Sequence, residues 1–196
     1  MVEQLLKIKV KNLAEGGTSQ MDMIDKLVKS DIQQGDHAVF CLTAPSRRFY
    51  VDKDNRAKNS FCDGDKDKVN DFYDSFLSAT VVLTIEQICA VKNLTPWFMC
   101  AFDTSYSKQK AHQLWDLVDF KKWLIDPAST IVRELFDPSW FKKYKAQENT
   151  DFADWLNEDN QQVKKLIRPC QGHPNLEGRR LIAEFVYNKL KDKLQG

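Results

Sequence analysis

No Cys-x-x-Cys pair occurs in the 196 residues, and the cysteines (Cys41, Cys62, Cys89, Cys100 and Cys170) are odd in number. A disulfide scaffold and a zinc site are therefore both disfavoured. No apolar run approaches the roughly 20 residues of a bilayer crossing, so no membrane span is expected. There is no excess of charge either. The net charge is +1, lysines are spread among acids, and no basic stripe carries interleaved aromatics, which argues against a nucleic-acid partner. The N-terminal "MVEQLLKIKVKNL" lacks the basic start, apolar middle and small-residue cleavage site of a signal peptide. Neither an internal repeat nor a low-complexity linker is visible. These absences leave one soluble domain over residues 1–196, expected in a reducing, cytoplasmic compartment.

What is present is an alternation of strand and helix signals. "LLKIKVKNLA" alternates and runs into "EGG", which predicts a short strand closed by a tight turn. In "TSQMDMIDKLVKSDIQQGD", Ser19 and Asp22 form a capping box. Met23, Ile24, Leu27, Val28 and Ile32 then repeat at helical spacing up to Gly35. "HAVFCLT" is a continuous apolar run, expected as a strand covered on both faces. The polar stretch "APSRRFYVDKDNRAKNSFCDGD" predicts a long loop or a small excursion. A long helix is expected from about Lys66 to Lys92, with a break conceivable in the β-branched run Ala79–Ile85. "PWFMCAFD" predicts a second buried strand, helical segments are expected from about Gln109 to Leu166, and a last helix from about Leu176 to Lys193.

This order predicts an α/β fold, a three-layer α/β/α sandwich with a mostly parallel sheet. Reactive groups in such a sheet collect at the C-terminal strand ends. The turns "NLAEGGTS", "LTAPSRR" and "FDTSYS" all fall there. Gly16-Gly17 reads either as a strand-to-helix turn needing positive φ or as a backbone donor site, and no P-loop lysine follows it. Arg47 and Arg48 read as a solvated loop or as a clamp for a carboxylate or phosphate. Asp63, Asp65 and Asp67 do not meet the EF-hand spacing, because Lys68 and Asp74 stand where glycine and glutamate are needed. His37 and His112 have no second ligand at helical spacing and read as structural. The five tryptophans, with Phe120, Phe136 and Phe141, read as core rather than as a carbohydrate groove.

Three stretches together resemble the SGNH, or GDSL-type, hydrolase family. "GHPNLEGRRLIAEFVYNKL" resembles the family's last block, "VKNLAEGGTSQMDMIDKL" its second, and "QQGDHAVFCLTAPSRRF" the approach to its third. The resemblance implies a flavodoxin-like sandwich that hydrolyses an acyl or acetyl ester of a small molecule, lipid or carbohydrate, without metal or organic cofactor. It implies His173 as the general base for a serine nucleophile and Gly17 as a backbone donor to the oxyanion. Thr43, Ser46 and Arg47 stand where the third block would offer an asparagine, and are the candidates for substrate contact. Cys170 stands in place of the aspartate that would orient His173.

No Gly-Asp-Ser occurs in the chain, so the family's nucleophile block is missing and the domain reads as N-terminally truncated. Loss of the first strand would expose unpaired backbone on two neighbours and favour aggregation or oligomer formation. The alternative reading is a noncatalytic SGNH-like binding or assembly module.

Overall fold

A computed structural model describes residues 9–14, 19–43, 47–51, 57–61, 71–101, 112–135 and 176–195. The chain divides into two compact units, residues 12–131 and residues 1–11 with 132–196. It is a mixed α/β protein with a small parallel sheet.

In the larger unit the first helix, α1, is Gln20–Lys29. The expected capping box is present. Ser19 accepts from the Asp22 N–H, and the Asp22 carboxylate accepts from the Ser19 N–H. The helix stops at Ser30 rather than at Gly35. Gly35 instead takes φ +89° in the turn before the first strand, a conformation that favours glycine. Ahead of α1, residues 9–14 are irregular rather than a strand end, and the Asn12 side chain accepts from the Ala14 N–H in a local turn. The remainder of the expected first strand, residues 5–8, lies outside the described residues.

Strand β1 (His37–Leu42) pairs in parallel with β4 (Thr95–Cys100), register His37↔Thr95 to Leu42↔Cys100. Between them in sequence lie an antiparallel ribbon, β2 (Arg47–Val51) with β3 (Ala57–Phe61), and the helix α2 (Asp71–Lys92). Of the long loop and the small excursion expected there, the ribbon is the excursion. Its polar, turn-rich composition conceals short strands that pair with each other. Helix α2 is unbroken through Ala79–Ile85. Within that run the Thr80 hydroxyl donates to the Phe76 carbonyl and the Thr84 hydroxyl to that of Thr80, so both are satisfied within the helix.

Helix α2 ends in a Schellman motif. Asn93 takes φ +54°, the Leu94 N–H donates to the Cys89 carbonyl and the Asn93 N–H to that of Ala90. The Gly35 N–H then donates to the Asn93 carbonyl and the Thr95 N–H to the Asp36 carbonyl. These two bonds tie together the turns that launch β1 and β4, and so set the register of the parallel pair.

One sheet face, carrying Phe40, Leu42, Phe98 and Cys100, packs with Leu27 of α1 and Ala79, Val82, Ile85 and Cys89 of α2. Phe98, Val82, Ile85 and Cys89 have no exposed surface. Burying a side chain of this kind contributes roughly 1.5–3 kcal/mol. An exposed pair such as Lys29–Asp25 contributes only about 0–1 kcal/mol, so apolar burial decides the packing. The expectation that β1 is covered on both faces is corrected, since Val39 is 39% exposed. By length and composition, Tyr73–Lys92 is apolar enough to cross a membrane, contrary to the expectation from the sequence. Its apolar residues instead supply the core under the sheet.

Residues 112–125 form 3-10 turns, η1 (Gln113–Leu117) and η2 (Phe120–Lys122), instead of the expected α-helix. Side chains interrupt the helical bonding. His112 Nδ1 accepts from the Leu114 N–H and the Asp119 carboxylate from the Lys121 N–H. Trp123 then forms a parallel bridge to Phe98, adding a third position to the sheet beside β4. Trp115 and Trp123 are core residues as expected, in ring contact with Phe120 and, for Trp123, with Phe98. Trp140 and Trp155 lie outside the described residues.

A short helix, α3 (Ile131–Leu135), crosses the division between units. In the other unit α4 (Leu176–Gln195) begins where the sequence predicts. Ala183, Val186 and Leu190 form its buried stripe, and the Lys189 ammonium lies 5.6 Å from the centre of the Phe185 ring.

The last carbonyls of α1 meet a cation from α2. Lys92 Nζ donates to the carbonyls of Leu27 (2.8 Å), Val28 (3.1 Å) and Ser30 (3.2 Å). A positive charge at a helix C-terminus is favourable and these bonds are charge-assisted. Replacing Lys92 with methionine should cost about 1–2 kcal/mol, read as a lower urea midpoint with unchanged slope. An unchanged midpoint would mean that water serves these carbonyls equally well.

Candidate functional site

The C-terminal edge of β1 gathers several buried polar groups. Gln20, the first residue of α1, is 6% exposed. Its Nε2 donates to the carbonyl of Thr43, the residue just past β1, at 2.7 Å. Its Oε1 accepts from the hydroxyl of Ser78 on α2, at 2.9 Å. Ser78 has no exposed surface. A side-chain chain thus joins the strand end to the first turn of α1 and to the second half-turn of polar residues on α2.

Ser19 caps α1 at this edge and is buried. Asp74 and Ser75 lie on α2 one turn before Ser78, and both are buried. Ser75 is itself a junction. Its hydroxyl accepts from the His112 N–H and from Trp115 Nε1, each at 3.0 Å, and its carbonyl also faces Trp115 Nε1 at 3.2 Å. Of these, only Ser19 answers a helix-terminal N–H, that of Asp22; Ser75 and Ser78 meet groups of other segments.

The Thr43 hydroxyl is different. Its oxygen is sealed from solvent and has no hydrogen-bond partner among the described residues. Of the residues singled out from the sequence, Thr43 therefore sits at the expected edge. Arg47 opens β2, its Cα opposite that of Phe61, so the loop expected there is corrected to a strand; Arg48 follows opposite Ser60. Gly17, Ser46, Cys170 and His173 lie outside the described residues, as do Asp63, Asp65 and Asp67. His112 has the structural role expected of it. His37 opens β1, and its Nδ1 accepts from Trp97 Nε1 at 3.1 Å.

Sequence reading missed Gln20, Asp74, Ser75 and Ser78. The signal for Asp74 and Ser78 was there. They stand one turn apart on a face that continues through the buried Val82 and Ile85, where a polar pair needs a reason. Gln20 gave no signal, because a glutamine in a first turn ordinarily faces solvent.

Among the described residues, Cys41 and Cys89 are not poised as nucleophiles. Burial pushes Cys41 up to about 12, reinforced by Cys100, and pushes Cys89 up to about 11, partly opposed by Lys122. Both are neutral thiols near pH 7, and the thiolate is the reactive form. Among the described residues no group of His, Cys, Asp or Glu side chains could hold a metal ion. Comparison with protein-family models, curated proteins and solved structures returns no significant match.

One carboxyl lies apart from this edge. The Glu86 side chain, on α2 beyond the polar cluster, is 9% exposed and 3.6 Å from Lys122 Nζ. Burial raises its pKa above the ordinary 4.5, while Lys122 pulls it down less strongly. Between 4.5 and the raised value the folded state holds more protons than the unfolded chain, so stability falls as pH rises through that window. The Glu86→Gln variant should therefore gain in urea midpoint over the parent as pH rises from 4 to 8. A difference between the two that stays constant with pH would contradict this sign.

Proposed function

We propose that the chain is an ester hydrolase domain of the SGNH type, built on a flavodoxin-like sandwich. The observation that carries this reading is the buried polar chain Thr43–Gln20–Ser78 at the C-terminal edge of the parallel strands β1 and β4. In open parallel sheets ligands bind at that edge, in the crevice outside the strand ends. The segment holding Gly17 leads in sequence directly into the Ser19 cap of α1, whose first helical residue is bonded to Thr43.

In this reading the His173 imidazole removes the proton from a serine hydroxyl as it attacks an acyl or acetyl ester and gives that proton to the departing alcohol; water, deprotonated by the same imidazole, then frees the acid from the serine. The Gly17 N–H donates to the carbonyl oxygen as it becomes negative. Gly-Asp-Ser does not occur in the 196 residues, so the reading assigns to this chain the base and the oxyanion donor, not the nucleophile. Cys170 stands where the resemblance puts the carboxylate that stabilises the charged imidazole, so this reading predicts slower turnover than with that carboxylate in place.

The test is hydrolysis of p-nitrophenyl acetate by the protein as its natural host makes it, with His173→Ala alongside. The expected result is a fall in kcat/KM of about 100-fold or more in the variant. Equal values would remove His173 from the mechanism and leave the noncatalytic binding module as the better account.

A further inference from the structure

We propose that the β2–β3 ribbon is a phosphate-binding arm, in which Arg48, Tyr50, Lys58 and Ser60 form one row of donors for the phosphate of a small phosphorylated molecule. The inference goes beyond the ester-hydrolase reading and does not depend on it, because it concerns binding and not turnover.

The register of the ribbon separates two unlike rows. Neighbouring residues of a strand lie on opposite faces, and residues opposite each other in a ladder share a face. The pairs Arg47↔Phe61, Phe49↔Asn59 and Val51↔Ala57 therefore make one row, and Arg48↔Ser60 with Tyr50↔Lys58 makes the other. A two-stranded ribbon alone is marginal in water and needs apolar content and a helix to pack with. The first row holds that content in Phe49, Val51, Ala57 and Phe61, and β2 lies against α1. The second row is different in kind. Every residue type in it carries a side-chain hydrogen-bond donor, Arg48 and Lys58 are cations, and none is an acid.

Charge of one sign is not a general feature of this chain, whose 29 Lys and Arg are balanced by 28 Asp and Glu. The two strands nonetheless hold Arg47, Arg48 and Lys58 with no acid among them. The excess is hidden in the sequence because Asp52 and Asp54 follow β2, and Asp63 and Asp65 follow β3. Arg48 and Lys58 stand on the diagonal of the ladder, a separation of roughly 7–8 Å, where like charges repel. An anion shared by both replaces that repulsion with attraction. A phosphate has only acceptor oxygens, and more of them than a carboxylate, which suits a row of donors. The guanidinium fork matches it in geometry and the ammonium adds a point charge. Of the arginine pair singled out from the sequence, the register keeps Arg48 and puts Lys58, not Arg47, beside it.

The topology sets this arm beside the candidate site. Gln20 holds the Thr43 carbonyl at the first turn of α1. Arg48 follows Thr43 after five residues, a reach of at most about 18 Å. The ribbon thus leaves from the C-terminal edge of β1, and ligands of open parallel sheets bind at that edge.

The experiment titrates phenyl phosphate into the naturally expressed protein by calorimetry. Arg48→Gln/Lys58→Gln and Tyr50→Phe are compared with Lys29→Gln/Lys121→Gln, a control that removes the same net charge elsewhere, and each variant's Tm is measured. The parent should bind phenyl phosphate saturably, release it to inorganic phosphate, and give no binding with phenyl acetate. Arg48→Gln/Lys58→Gln should weaken binding about tenfold or more, with Tm unchanged or higher. Tyr50→Phe, which removes one hydroxyl and no charge, should weaken it about two- to fivefold, and decides the matter if the double variant does not fold. The control should bind as the parent does. No saturable binding by the parent, or unchanged affinity in the row variants, overturns the inference. So does an equal loss in the control, which would make the effect one of net charge. A single-stranded oligonucleotide bound more tightly than phenyl phosphate overturns the small-molecule assignment. Ester turnover is not read in any arm, so the hydrolase reading stands or falls separately.

Discussion

Parallel strands cannot be joined by a tight turn, so β1 and β4 depend on a crossover segment long enough to return the chain to its starting edge. Helix α2 provides the return, and its apolar face lies under Phe40, Leu42, Phe98 and Cys100. Without that cover the sheet would lose Ala79, Val82, Ile85 and Cys89 from beneath it, and without the sheet α2 would be an apolar helix in water. The two are stable only together. The bonds from Gly35 to Asn93 and from Thr95 to Asp36 then align the strand starts, so that register and helix packing agree.

That arrangement makes the two ends of the unit chemically different. At the C-terminal edge of β1 the first turn of α1 and the polar residues of α2 meet the strand end. Ser19, Gln20, Ser75 and Ser78 are the side chains found there. At the other end of α1 its last carbonyls come together, and the side chain found there is the cation of Lys92. The sign of the helix dipole favours the cation at that second end.

Local signals were legible where one residue type has one use. Ser19 and Asp22 specify their capping box whatever surrounds them, and Leu176 begins its helix as expected. The apolar runs "HAVFCL" and "TPWFMC" are strands as expected. Signals failed where side chains compete with the backbone or where pairing is local. The caps of His112 and Asp119 turn an expected α-helix into 3-10 turns. The β2–β3 ribbon carries a loop-like composition because its strands pair with each other and need no apolar run to find a partner. At the candidate site, Thr43 is picked out through the resemblance to the third block, but nothing in a first-turn glutamine says that it turns inward.

The sequence by itself determined the α/β alternation, the caps and the apolar core, because these follow from neighbours along the chain. Only the tertiary structure decided that Gln20, Thr43 and Ser78 share one buried line of hydrogen bonds, and that Lys92 closes the end of α1. Those contacts join residues far apart in sequence. Each exists because a buried polar atom must find a partner in space, and the chain shows that partner only once it has folded.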